Sequence, residues 1–218
     1  MKKIIVCGSG TGVGKTVVSA IITEALQGDY WKPIECGEDS DTKTLQKLLP
    51  SLQKKIHPPS YSLRAPLSPH HAAKLEKTEI NPACVILPDT QSPLIIETVG
   101  GVLVPLNQTI LSIELFKTWP AIWILVSKNY LGSINHTLLT IEALKQRSIN
   151  LGGIIFNGEP NPESEKAILR FSGLPCLSRI FPEKSISTTT IKEYAKKWDF
   201  LKEIGHPSGI HLPHCLPH

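Results

Sequence analysis

Ten residues near the N-terminus, from Cys7 to Thr16, read CGSGTGVGKT. Closely spaced glycines followed by a lysine and a hydroxyl residue compose a loop able to wrap phosphate. Glycines let backbone N–H groups turn inward onto phosphate oxygens. Lys15 can reach the β- and γ-phosphates, and the Thr16 hydroxyl can ligate Mg²⁺. The usual spacing, G-x-x-x-x-G-K-[ST], puts the first glycine at position 9. That position is Ser9, and the glycines stand at Gly8, Gly10, Gly12 and Gly14. Such a loop also needs an acidic metal partner, because Mg²⁺ prefers carboxylates together with phosphate oxygens. Glu97 ends the apolar run PLIIE, where a lone charge is costly to bury without a role. Asp41 lies in EDSDTKTL at a helix start, where it equally fits an N-cap. Lys32 follows another apolar run and brings a second cation toward the same region, although alone it fits a surface lysine.

These side chains act together only if the fold gathers them. Apolar runs at residues 2–7, 30–36, 93–99, 121–127, 151–157 and 175–180 read as strands. Residues 16–27, 113–117, 133–147, 163–171 and 190–201 have helical spacing. The alternation predicts an α/β domain, a mostly parallel sheet with helices on both faces. Right-handed crossovers then put every strand C-terminus on one edge, where ligands of such sheets bind. The glycine-rich stretch follows the first strand and opens the first helix, the context a phosphate loop requires. Pro33 argues against a central ladder position for residues 30–36. Residues 50–67, proline-rich and without periodicity, read as irregular connection. Residues 1–204 read as one domain. Residues 205–218, GHPSGIHLPHCLPH, read as a flexible tail rather than a His/Cys metal site.

Composition narrows the class. At 218 residues with 41% hydrophobic content, the chain can bury one sizeable core. No apolar run approaches a membrane span. The start, MKKIIVCGSG, has too short an apolar stretch for a signal peptide and reads as a strand of a cytoplasmic protein. The 5 cysteines are scattered without a C-x-x-C pair, which disfavours a disulfide framework or zinc site. The net charge is +4, but without a basic block interleaved with aromatics; nucleic acid is not an expected partner.

In order along the chain, the motifs resemble those of the dethiobiotin synthetases, enzymes of biotin biosynthesis, up to about Leu201. That family's loop, G-T-x-T-x-V-G-K-T, starts one residue early, as GSGTGVGKT does. WKPIECG resembles its Y-K-P-V-x-x-G, SDTKTL its S-D-x-x-x-L, and APLSPHHAA its A-P-x-S-P-H-x-A. IIETVGGVLVPL resembles V-E-G-A-G-G-x-x-x-P-L, and YLGSINHTLLTIEAL resembles L-G-x-I-N-H-x-x-L-T. The resemblance implies a phosphate-loop NTPase fold and closure of the ureido ring of dethiobiotin from 7,8-diaminopelargonate, CO₂ and ATP. It implies that Lys15 and Lys32 neutralise phosphate and carbamate oxygens. Thr16, Asp41 and Glu97 would hold Mg²⁺. Gly12, Val13, Gly14, Lys15, Thr16 and Val17 would wrap the phosphates, and Asn157 would face the purine. Thr11 and Cys36 would lie beside the diamine. Gly132, Ser133, Ile134 and Asn135 would bind its remote carboxylate from the partner subunit of a homodimer; read alone, that stretch is a Ser/Asn helix cap.

Three departures from the family pattern stand out. Gly12 replaces a Glu found in some relatives. Thr98 and Val99 replace small residues in E-G-A-G-G, putting side chains where the family keeps bare backbone. Gly158 replaces the acid of an N-D pair, which predicts looser base recognition. Two other readings compete. A cobalamin-precursor amidoligase would need a glutamine-amidotransferase domain, for which the chain has no room. A MinD- or ParA-like partitioning ATPase would need a signature lysine at position 10, which is Gly10, and a basic amphipathic C-terminal helix for its membrane.

Overall fold

The computed structural model describes residues 2–203; the tail at 205–218 lies outside them. Seven strands form one parallel sheet: β1 (Lys3–Gly8), β2 (Asp29–Trp31), β4 (Ile56–His57), β6 (Leu94–Glu97), β7 (Ile122–Lys128), β8 (Leu151–Asn157) and β9 (Cys176–Ile180). Their order across the sheet is β4-β2-β6-β1-β7-β8-β9. Helices α1 (Lys15–Leu26), α2 (Asp41–Leu48), α3 (Pro69–Leu75), α4 (Ser112–Phe116), α5 (Ser133–Lys145), α6 (Pro162–Ser172), α7 (Thr188–Lys197) and α8 (Phe200–Glu203) complete the layers. The expected α/β class is the one observed.

Burial on both faces accounts for the apolar strands. In β1, Ile4 and Val6 join one core with α1, Tyr30 and Ile95. Ile5 and Cys7 point the other way, into a second core with Trp31, Ile96 and Phe156. All these side chains are at most 2% exposed. Each fully buried large apolar side chain contributes about 1.5–3 kcal/mol, so the sheet is a stiff platform for whatever its edge carries.

Three sequence expectations change in detail. Residues 30–36 do not form one strand. The chain leaves the main sheet after Trp31, passes Lys32 and Pro33, and forms β3 (Ile34–Cys36), which pairs with β5 (Tyr61–Leu63) in a separate two-stranded sheet. Pro33 marks the break, since it has no N–H for a ladder. Residues 50–67 are more ordered than their prolines suggest. A 3₁₀ turn at Pro50–Lys55 leads into β4, an edge strand, and then β5. The helical pattern at 190–201 starts earlier and is interrupted after Lys197.

Candidate active site

The glycine-rich loop runs from the C-terminus of β1 into α1. Gly8 lies where a Cβ would stand 2.7 Å from Val13 Cγ2 and 3.2 Å from Lys15 Cδ. The early glycine therefore lets the loop fold back over its own strand. Gly14 caps α1 with φ 100°, and no side chain caps that helix start. Its first N–H groups are left for an anion. Lys15 is 5% exposed and its Nζ donates to the Gly10 carbonyl at 2.9 Å, crossing the loop. Gly12 and Thr11 are exposed on the rim, and Thr11 sits beside Gly100. Val13 is buried, and Val17 packs against the α1-side core.

Beside the loop, Thr16, Lys32, Asp41 and Glu97 converge. Thr16 Oγ1 lies 2.6 Å from Asp41 Oδ1 and 3.1 Å from Glu97 Oε1. Lys32 Nζ donates to Glu97 Oε1 at 3.0 Å and also to Asp41 Oδ2. Lys32 is 6% exposed and Glu97 is fully buried, so neither is a surface charge. Asp41 is not the cap of α2. Ser40 fills that role, accepting from the Lys43 N–H at 3.2 Å, and Asp41 is the first helical residue. Its carboxylate is thereby free to turn toward Thr16 and Lys32.

Two members of the site escaped the sequence reading. The Tyr30 hydroxyl donates to Glu97 Oε2 at 2.9 Å. Buried Glu35 accepts from Ser40 Oγ at 2.7 Å, from the Thr42 N–H at 2.7 Å and from Thr42 Oγ1 at 2.6 Å, bracketing Asp41. Signals for both existed. Tyr30 and Lys32 are two residues apart leaving an extended strand, hence on one face. Glu35 is a charge inside the apolar run PIEC.

Electrostatics follows from this packing. Burial alone would lower the Lys32 pKa, but the Glu97 and Asp41 carboxylates outweigh it and hold the ammonium above its ordinary value. Burial lowers the Lys15 pKa; Glu97 opposes the shift and Lys32 adds to it. Burial would raise the Asp41 pKa, yet Lys32 and the Thr16 hydroxyl bring it below the usual carboxylate range. Burial and the Glu97 charge push the Tyr30 phenol well up, so it remains a donor.

Among the described residues, no three His, Cys, Asp or Glu side chains gather to cage a metal ion. Two carboxylates and a hydroxyl nevertheless suit Mg²⁺, which keeps several waters and phosphate oxygens in its shell. The Lys32 ammonium bonded to the same two carboxylates shows that they attract a cation.

The remaining expected residues divide. The Asn157 side chain donates to the Val13 carbonyl at 2.9 Å, so it fastens the phosphate loop; a Cβ at Gly14 would run into the same amide. Cys36 is half-buried at the end of β3, and burial pushes its thiol up to about 11. Gly132 caps α5 with φ 98° and no side-chain cap; Ser133 is buried, while Ile134 and Asn135 are exposed. Among the described residues, no hydrogen bond joins this segment to the Lys15–Glu97 cluster. Thr98 and Val99 are 1% and 8% exposed. Their side chains are buried rather than projecting from the surface of the site.

A family model described as an AAA domain matches residues 2–190. The ATP-dependent dethiobiotin synthetase of Cytophaga hutchinsonii is 49% identical, covering 90% of this chain and 97% of its own. That of Chlamydia pneumoniae is 44% identical, covering 91% and 90%. Among solved structures, a ParA family ATPase from Chlorobium tepidum aligns with TM-score 0.57 at 15% identity over 89% of this chain and 98% of its own. The septum site-determining protein MinD from Pyrococcus horikoshii aligns with TM-score 0.54 at 16% identity over 94% and 99%. At such identities the structural likeness establishes the fold alone, a parallel sheet with helices. The likeness in sequence is near full length and goes further: the chain belongs to the ATP-dependent dethiobiotin synthetase family.

Proposed function

We propose that the chain closes the ureido ring of dethiobiotin from 7,8-diaminopelargonate and CO₂, using ATP and releasing ADP and phosphate. The observation that supports this best is the second buried cation. Lys32 stands beside the phosphate loop, next to Thr16, Asp41 and Glu97. A ligase that gathers a carbamate and a triphosphate needs positive charge on both sides of the transferred phosphoryl group.

Thr16, Asp41 and Glu97 would hold Mg²⁺, which would supply positive charge against the phosphates. Lys15 would exchange the Gly10 carbonyl for phosphate oxygens. One amine of the diamine captures CO₂ as a carbamate, whose oxygen attacks the γ-phosphorus as the bond to ADP breaks. The second amine then attacks the carbamoyl carbon, closes the ring and expels phosphate. Lys32 would meet the carbamate and γ-phosphate oxygens and hold them in line. Thr11 and Cys36 would flank the diamine, and Gly132, Ser133, Ile134 and Asn135 of a partner subunit would bind its carboxylate. Asn157 would lie near the purine while it fastens the loop. No helix among the described residues is long and apolar enough to cross a membrane, and use of ATP suits a cytoplasmic location.

The test is a mass-spectrometric assay with diamine, bicarbonate, Mg²⁺ and each nucleoside triphosphate in turn. A product with the mass of the cyclic urea, dependent on all components, is expected. Nucleotide hydrolysis without that product would overturn the assignment.

A further inference from the structure

We infer that Tyr30 is a positioning residue for the metal-holding carboxylate: its hydroxyl pins Glu97 Oε2 so that Oε1 faces Thr16 and the phosphate loop. The inference rests on the proposed role of Thr16, Asp41 and Glu97 in holding Mg²⁺.

The geometry comes from the sheet. Strands β2 and β6 are parallel neighbours, with Tyr30 opposite Ile95. Ile95 and Glu97 are two residues apart, so both point to the α1 face. Two residues of strand rise about 6.6 Å. A phenol reaching up from Tyr30 spans that distance to the Glu97 carboxylate, and a serine or threonine hydroxyl would not. The contact is 2.9 Å. Tyr30 and Glu97 are both 0% exposed, so their contact lies within the packed interior. The other carboxylate oxygen, Oε1, lies 3.1 Å from Thr16 Oγ1 and 3.0 Å from Lys32 Nζ. The two oxygens thus have separate duties. One is tied down inside the sheet layer, and the other faces the site. A carboxylate with a free torsion would present either oxygen, or both edgewise. The Tyr30 bond removes that freedom before any ligand arrives.

Substitution Tyr30→Phe keeps the ring in its core and deletes only the donor. The folded variant should need about 10–100-fold more Mg²⁺ for half-maximal turnover, the loss typical when a ligand's supporting hydrogen bond is removed. Excess Mg²⁺ should restore kcat. The KM for the diamine and nucleotide affinity in EDTA should stay at wild-type values. Mn²⁺ titration of the nucleotide complex by electron paramagnetic resonance reads the same weakening without turnover. A variant with lowered thermal stability but wild-type Mn²⁺ affinity would make Tyr30 a packing residue and overturn the inference. Wild-type protein that binds no Mn²⁺ with nucleotide would overturn the metal assignment itself, and this proposal with it. If the phenylalanine variant does not fold, 3-fluorotyrosine at position 30 answers the question in the native fold. Its ¹⁹F resonance should move as Mg²⁺ saturates the nucleotide complex, and an unmoved resonance counts against the inference.

Discussion

Lys32 is where charge, burial and chemistry meet most closely. Its ammonium is matched by two carboxylates, so removing it leaves Asp41 and Glu97 without the cation bonded to both. Lys32→Ala should lower kcat by about 10²–10³, the usual loss for one electrostatic contact to a transition state. The variant should also gain more thermal stability from added Mg²⁺ than wild type does, because the ion replaces a missing positive charge. A variant with near wild-type kcat would remove Lys32 from the chemistry. The pH dependence follows in sign. The raised Lys32 pKa gives stability that is present at neutral pH and lost only as pH climbs above its unfolded value near 10.5. The lowered Asp41 pKa gives stability that is lost as pH falls below 3.8. Lys32 and Asp41 should therefore add no slope to thermal stability between roughly pH 5 and 9. Asn157 makes a separate case. Its amide holds the Val13 carbonyl, and an aspartate cannot donate there. Asn157→Asp should weaken ATP, CTP, GTP and base-free tripolyphosphate by similar factors, read by calorimetry. A loss confined to one base would assign the side chain to base recognition alone.

At the scale of elements, the site depends on how two chain segments leave the sheet. Strand β2 ends at Trp31, and the break at Pro33 lets β3 turn into its own small sheet. Glu35 then reaches back to the start of α2. Glu35→Gln keeps the size of the side chain, but its amide nitrogen cannot accept, so Ser40 or Thr42 loses a partner. Urea unfolding should show a loss of about 1–3 kcal/mol, together with a higher Mg²⁺ requirement as Asp41 loosens. An unchanged Mg²⁺ requirement would mean that the Ser40 cap alone fixes the turn. These two segments also separate what the sequence disclosed from what it hid. The order of strands and helices was legible because burial on both faces leaves continuous apolar runs such as LIIE. Lys15, Thr16 and Glu97 were legible because loop context and a lone buried charge are local signals. Tyr30 and Glu35 left local signals too, but what they act on was hidden, because their partners lie 67 and 7 residues away and only tertiary packing creates those bonds. Strand β4 hid for a related reason. It is two residues long, and it is a strand only because β2 lies beside it.

On the scale of the whole molecule, the proposed dimer turns on the start of α5, which makes no hydrogen bond to the Lys15–Glu97 cluster of its own chain among the described residues. Residues 132–135 begin α5, whose N-terminal N–H groups have no side-chain cap. Around them Tyr130, Leu131, Ile134 and Leu139 are exposed, Leu131 completely. An apolar surface next to a free helix start fits a two-fold interface that delivers the helix start to the neighbouring chain's diamine, and closed two-fold dimers are the commonest assembly. Leu131→Arg should then shift sedimentation from dimer to monomer and lower activity in proportion. Asn135→Ala should raise KM for the diamine and leave ATP binding unchanged. Complementation separates a shared site from two independent ones. Mix a Lys15→Ala chain, defective in the phosphate loop, with an Asn135→Ala chain, defective in the tail site. In a heterodimer with shared sites, one site combines the altered loop of the first chain with the altered helix start of the second and is dead. The other combines the intact Lys15 of the second chain with the intact Asn135 of the first and is whole. High-affinity turnover should therefore partly return after subunit exchange, to about half the wild-type rate per heterodimer. If each site lay within one chain, every site in the mixture would keep one lesion, and exchange would restore nothing.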